Sequence, residues 1–444
     1  MSLSSYFGAG AAQDVFASRL RSGIGTLWHR FPANVRQTVR LSIVGPPKRS
    51  GARPQAPGGS VYIAGVLEGT SQVGWSARLM QKLAEEAGLP VGKIDIAHAF
   101  RAARRRKEKT RAMGAGTLFV HLGPDQLSYG LSYLEDEVLA DKFVIGFCPW
   151  DLEQLPPETA AQLSLLDEVW VPSHFTRRAF QAAGVRRPIR VIPYILDVPS
   201  AVHADRKRFG LDEDSFIVAS VANLQSGFAR KNPLAAISAF QRAFSRHERV
   251  TLALKINKTD MASAGYAKLR KIAGQDPRIK LISRDLADDD MWRLLASADV
   301  VLSLHRAESF GLTLAQGMLL GRPTVATAWS GNLDFMPQSA SCLVPSRLVP
   351  VEGPDKLEGC QGQVWASPDV PAAADILRRL YGDPNLRLIL GEAGRQAARR
   401  FMQHHRLRLV GELRRWAHPQ RIASATAAGM AANLGPEHQD RLAG

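Results

Sequence analysis

The chain has 444 residues, 45% hydrophobic and 22% charged, with a formal net charge of +16 and a pI near 10.1. That length is too great for one core, so two domains with extensions are expected, and the charge favours anionic partners such as nucleotides, phosphorylated sugars, nucleic acid or acidic lipid. Cys148, Cys342 and Cys360 are odd in number and lack metal-ligand spacing, and no apolar run approaches about 18 residues, which argues against a disulfide framework, a structural zinc site and a spanning helix.

The N-terminus lacks a signal-peptide core, and a reducing cytoplasm is the expected location, with any membrane contact made from the surface. Residues 1–50 carry seven Lys/Arg against one acid, Asp14. Within them Phe16, Leu20, Ile24, Leu27, Trp28 and Phe31 recur at helical spacing, the pattern of a basic amphipathic helix for anionic lipid or of a helix packed on the body. "GPPKRSGARPQAPGG" (45–59) reads as a linker, so 1–59 is an N-terminal extension.

From residue 60, short apolar runs alternate with amphipathic stretches. Strands are predicted at "SVYIAGV" (60–66), "KIDIA" (93–97), "TLFVHL" (117–122), "FVIGF" (143–147), "EVWVP" (168–172) and "IRVIP" (189–193), with helices such as 76–88 and 173–184 between them. The stretch 196–215 breaks the rhythm. A second series then follows at "FIVASVA" (216–222), "VTLALKI" (250–256), "RIKLIS" (278–283), "DVVLSL" (299–304) and "PTVAT" (323–327). The fold class is therefore α/β, two tandem doubly wound parallel-sheet domains over 60–198 and 199–400, with 401–444 as a C-terminal helix and tail that can return to the first domain. Ligands of such sheets bind at the carboxyl ends of strands, so the cleft between the halves is the expected site.

The most informative stretch is "HRAESFGLTLAQGMLLGRPTVATAWSGN" (305–332). A buried strand delivers His305 and Glu308 to the cleft edge, Gly311 permits close backbone approach, and a helix from about Leu312 to Leu320 offers unpaired N–H groups and its positive end to a diphosphate. Gln316 lies about 6 Å further along that helix at about 1.5 Å per residue, the reach of a ribose. Glu308 suits the hydroxyls of a sugar on the distal phosphate.

This segment resembles the signature of retaining glycosyltransferases of family 4, which have the GT-B fold of two Rossmann-like domains. Glu308-Ser309-Phe310-Gly311, Gly321-Arg322-Pro323 and Gly331-Asn332 carry the likeness. It implies that Glu308 contacts the donor sugar and that the backbone of Ser309, Phe310, Gly311 and Leu312 holds the diphosphate. The family's second glutamate, which binds the ribose, is Gln316 here, and weaker donor affinity is expected. "ARKNPLAAISAFQRAF" (229–244) resembles the first helix of the donor domain, with Arg230 and Lys231 as the basic pair that neutralises the leaving diphosphate. In many members the arginine directly follows the preceding strand, where this chain has Asn223. "FCPWDLEQLP" (147–156) and "DEVWVPSHFTRRAF" (167–180) resemble the acceptor domain of bacterial members that build surface polysaccharides. His121 occupies a position that touches the sugar in relatives, and loops in relatives similar to the one bearing Gly69 and Gly74, otherwise an ordinary tight turn, approach the transferred sugar. The implied reaction is retaining, metal-independent transfer from a nucleotide-diphosphate sugar, a substrate rather than a cofactor, to a glycan or lipid-linked acceptor.

Other motifs give way to simpler readings. "GTSQVG" (69–74) is followed by Trp75-Ser76 where a P-loop needs Lys-Ser/Thr. "DDD" (288–290) complements a helix dipole, His404-His405 are adjacent rather than one turn apart, and no Gly-x-Ser-x-Gly elbow occurs. The basic segments 15–49, 101–111 and 399–421 fit an anionic membrane surface on its cytoplasmic side better than nucleic acid, because no aromatic interleaving or reading motif accompanies them. Two rivals remain: a non-catalytic nucleotide-sugar-binding protein, suggested by Gln316, and a nucleic-acid-binding protein.

Overall fold

The computed structural model describes residues 59–67, 72–97, 115–134, 136–224, 227–257, 263–351 and 362–417, with isolated positions at 47, 57 and 261. Apart from Pro47, the N-terminal segment 15–49 lies outside the described residues, as do Gly69, the basic run 101–111 and residues 418–421.

The first domain holds β1 (Ser60–Gly65), β2 (Val91–Asp95), β3 (Gly116–His121), β4 (Lys142–Phe147), β5 (Glu168–Val171) and β6 (Ile189–Val191). They form one parallel sheet in the order β2-β1-β3-β4-β5-β6. β3 and β4 are buried along their whole length, as central strands covered by helices on both faces must be. The second domain holds β7 (Phe216–Ala222), β8 (Val250–Ile256), β9 (Ile279–Ser283), β10 (Val300–Ser303), β11 (Thr324–Thr327) and β12 (Cys342–Val344), again parallel, in the order β12-β11-β10-β7-β8-β9. The sequence order reverses between β7 and β10, so the connections after these neighbours leave to opposite sides and open a crevice at their carboxyl ends.

Every strand predicted from the sequence is present. β12 and an antiparallel arm, β13 (Ser346–Pro350) with β14 (Val364–Pro368), were not expected. The helix predicted over 76–88 starts earlier and spans Gln72–Glu86, so Gly74 lies buried in its first turn rather than in a preceding loop.

The two domains share an apolar core. Tyr194, on the connection between them, packs its ring 5.2 Å from Phe147 and 5.3 Å from Phe310. The last described helix, Pro384–Ala417, runs without a break across the expected 400/401 boundary and packs on both the Leu312–Leu319 helix and the Gln72–Glu86 helix. Arg406 on it pairs with Asp197 and Glu86, and Arg190 pairs with Glu412. No described helix is long and apolar enough to cross a membrane.

Candidate active site between the two domains

A cavity of about 670 Å³ lies between the domains at the β7/β10 crevice. Glu308, Ser309, Gly311, Leu312 and Gln316 line one wall, Arg230 and Lys231 a second, and Trp75, Asp125 and Asp151 the first-domain side.

The acid-bearing turn is built from strained and close-packed backbone. Gly311 sits at φ 97, a conformation that side chains oppose, and opens the Leu312–Leu319 helix as its cap residue without a side-chain cap bond. The first amides of that helix therefore lack intrahelical partners and stand at the positive end of its dipole. Gly331 passes so close that an added Cβ would lie 2.1 Å from the Ser309 carbonyl oxygen. Ser330, at φ 79, accepts the Glu308 N–H on Oγ at 2.9 Å, and the Glu308 carbonyl accepts from Gly331 N–H at 2.9 Å. Such strain at a ligand-facing loop persists only where surrounding bonds fix it.

Lys231 reaches the same turn from the other side of the switch point. The short helix Phe228–Lys231 ends at Asn232, in the left-handed region at φ 51, whose Nδ2 donates to the Leu304 carbonyl at 2.9 Å. Lys231 Nζ then donates to a Glu308 carboxylate oxygen. Burial would raise the Glu308 carboxyl, but the charges of Lys231 and Arg230 outweigh it and hold the acid well below the usual carboxylate range. Arg230 Nη1 donates to Ala307 O at 3.0 Å and lies 3.1 Å from Asp151 Oδ2 of the first domain.

Phe310 is fully buried among Tyr194, Phe335 and Phe401. Its side chain is core, worth about 1.5–3 kcal/mol by burial, and only its backbone can serve a ligand. His305 also turns inward rather than to the cleft edge. Its Nδ1 lies 3.0 Å from Ser303 Oγ, and its Nε2 lies 3.2 Å from both Trp329 O and Asn332 Oδ1, so it ties the Trp329–Asn332 loop to β10, and burial lowers its pKa. His121 does not line the cavity. It is buried against Phe147, with Nδ1 2.9 Å from Ser76 Oγ; that hydroxyl donates to Val73 O, so Nδ1 carries the proton and Nε2 is left with no protein partner. Burial drops its pKa to about 3. Gly74 is buried and does not line the cavity.

Sequence reasoning missed three cavity residues. Lys255, paired in register with Val221 near the carboxyl end of β8, donates to Asn257 Oδ1. A lysine inside the apolar run "LALKI" was the available signal. Asp151 and Asp125 follow β4 and β3, and burial raises the pKa of Asp125. Ala287, not an aspartate, is the N-cap residue of the Asp288–Ala296 helix, and the acidic residues lie in its first turn, with Asp290 paired to Arg208 and Arg293. Among the described residues no group of three or more His, Cys, Asp or Glu side chains is arranged to hold a metal ion.

Comparison with known proteins adds to this geometry. Residues 216–358 match the family described as "Glycosyl transferases group 1". No curated protein matches the chain. Among solved structures, the chain resembles sucrose-phosphate synthase from Thermosynechococcus elongatus at TM-score 0.58 and 15% identity, covering 82% of this chain and 100% of that one. It resembles a glycosyltransferase from Rickettsia africae ESF-5 at TM-score 0.58 and 11% identity, covering 80% and 98%. Anabaena Alr3699/HepE, solved in complex with UDP and glucose, matches at TM-score 0.54 and 14% identity, covering 80% and 99%. The fold is GT-B, and the match over the second domain supports a glycosyltransferase family.

Proposed function

We propose that this protein transfers a sugar, with retention and without a required metal, from a nucleotide-diphosphate sugar to a glycan or lipid-linked acceptor in cell-surface polysaccharide synthesis. The observation that carries the reading is the convergence of Glu308, Lys231, Arg230 and the amino end of the Leu312–Leu319 helix on one cavity at the β7/β10 switch point.

Breaking the bond between the anomeric carbon and the phosphate oxygen leaves negative charge on the diphosphate. Lys231, Arg230 and the helix amides meet that charge without reorganising. Glu308 would bind hydroxyls of the transferred sugar, its carboxylate kept ionised by the two cations. Gln316, on the cavity side of the helix, would accept from a ribose hydroxyl through its amide oxygen. In a retaining displacement the acceptor oxygen bonds to the anomeric carbon on the face the phosphate leaves, and the departing phosphate oxygen takes the acceptor hydroxyl's proton. No protein base is then needed. The acceptor would enter from the first domain, past Trp75 and Asp125.

The basic composition supports a cytoplasmic protein held against anionic lipid, where a lipid-linked acceptor would be met. The resemblance to bacterial polysaccharide-building transferases supports the acceptor class. The test is incubation of the purified chain with UDP-, GDP- and ADP-sugars in EDTA, scored for thermal shift and for release of the nucleoside diphosphate. Selective binding with turnover supports the enzyme. Binding with no release of diphosphate under any acceptor favours the second reading, a sugar-nucleotide-binding protein, which the Gln316 substitution motivates.

A further inference from the structure

Asp151 belongs to the first domain, yet its side chain completes the turn that carries Glu308 in the second. It follows β4, and its loop is fixed at the base: Thr176 Oγ1 donates to Trp150 O at 2.9 Å, and Trp150 Nε1 donates to Gln154 O at 2.8 Å. From that anchor the carboxylate crosses the cleft and uses both oxygens. Oδ1 accepts the Ser309 N–H at 2.7 Å, and Oδ2 lies 3.1 Å from Arg230 Nη1. Arg230 in turn clasps the same turn, with Nη1 donating to Ala307 O at 3.0 Å and its own carbonyl accepting from Arg306 N–H at 2.8 Å. One carboxylate thus touches both the residue after the acid and the cation beside it.

We propose that Asp151 is a positioning residue for glycosyl transfer, holding Arg230 and the Glu308–Ser309 turn in reacting geometry from the opposite domain, so that catalysis requires the two domains to be closed. The proposal rests on the transferase reading above. Both Asp151 oxygens are taken by the Ser309 amide and Arg230, so it has no bond aimed at the donor, and its charge opposes the diphosphate; it does not serve donor affinity. What it supplies is fixed placement of two groups that act on the leaving phosphate and the sugar, and that benefit is expressed in turnover. Its loss should therefore lower turnover while leaving donor affinity unchanged or improved. A strut needed only for folding would not produce that split.

The test uses the full chain as wild type, Asp151→Asn and Asp151→Ala, with UDP-, GDP- and ADP-glucose as probes. Asn keeps an oxygen for the Ser309 amide and loses the charge, whereas Ala loses both. We expect kcat for diphosphate release to fall at least tenfold in Asp151→Ala and less in Asp151→Asn, with KM for the donor equal or lower in both. Hydrogen exchange over residues 305–312 without donor should speed up in Asp151→Ala, a readout that needs no activity. Unchanged kcat, a raised KM with kcat intact, or unaltered exchange at this turn each overturns the proposal. A wild-type chain inert toward all three sugars removes the transferase reading and this proposal together, while an active wild type with an unaffected Asp151→Ala variant removes this proposal alone.

Discussion

Lys231, which ends the short helix after β7, donates to the carboxylate of Glu308, which follows β10, so the two strands flanking the crevice contribute opposite charges that meet in the cavity. Replacing Lys231 by Ala removes a group facing the leaving phosphate and also strands a buried carboxylate. Turnover should fall by about 10²–10³-fold, and stability by about 3 kcal/mol. Adding Glu308→Gln should restore most of the stability and none of the turnover. Denaturant melts beside initial rates check both; full activity in Lys231→Ala removes it from the mechanism.

Gln316→Glu should tighten donor binding by about fivefold, since a charge-assisted bond to a ribose hydroxyl is worth roughly 1 kcal/mol more than a neutral one. Titration with the donor reads this directly. Equal or weaker binding would mean that Gln316 does not meet the ribose.

Gly331 and Gly311, where an added methyl meets close neighbours, should separate from Gly88, which has a positive φ but open space around it. Gly331→Ala drives a methyl into the Ser309 carbonyl, with Ser309 C at 2.4 Å and Phe310 N at 2.9 Å, and should abolish donor binding and cost more than about 3 kcal/mol. Gly311→Ala meets an unfavourable φ and Leu314 Cδ1 at 3.1 Å, costing about 1–3 kcal/mol. Gly88→Ala carries the φ penalty alone, with nothing within 4 Å, and should leave activity untouched. Thermal melts that rank the three otherwise contradict the turn geometry.

His121 gives the pH dependence. Its folded pKa of about 3 lies below the usual 6.5, so the unfolded chain binds the extra proton first as pH falls. The stability its neutral ring contributes is complete above pH 6.5 and is lost as pH drops toward 3, at up to about 1.4 kcal/mol per pH unit. His121→Gln should lack this slope. Urea midpoints for both proteins between pH 7 and 5 test it, and parallel slopes would show that the imidazole titrates normally.

Much of the fold was legible because each strand is a contiguous apolar run whose period and bounding turns are local facts. "FIVASVA" and "VTLALKI" coincide with β7 and β8. β12 and the β13–β14 arm were not legible, because "CLVPSRLVP" offers three-residue runs broken by proline, and their pairing depends on neighbours far along the chain. The second-domain wall was readable for the same local reason: Glu308 through Gln316 sit in one stretch. Asp151 and Lys255 gain meaning only once two domains or two strands are brought together. His121 and His305 show the converse, since a histidine at a strand end reads as reactive until burial and its hydrogen bonds show it facing inward.

The Pro384–Ala417 helix returns to the first domain beside the segment through which the chain first left it: the Leu196 N–H points at Met402 Sδ, 3.5 Å away, and Arg406 pairs with Asp197. Two separate passages of the polypeptide therefore lie together on one flank of the molecule. Two crossings tied side by side resist sliding of one lobe along the other more than rotation about that flank, so a hinge there is the movement the connections oppose least.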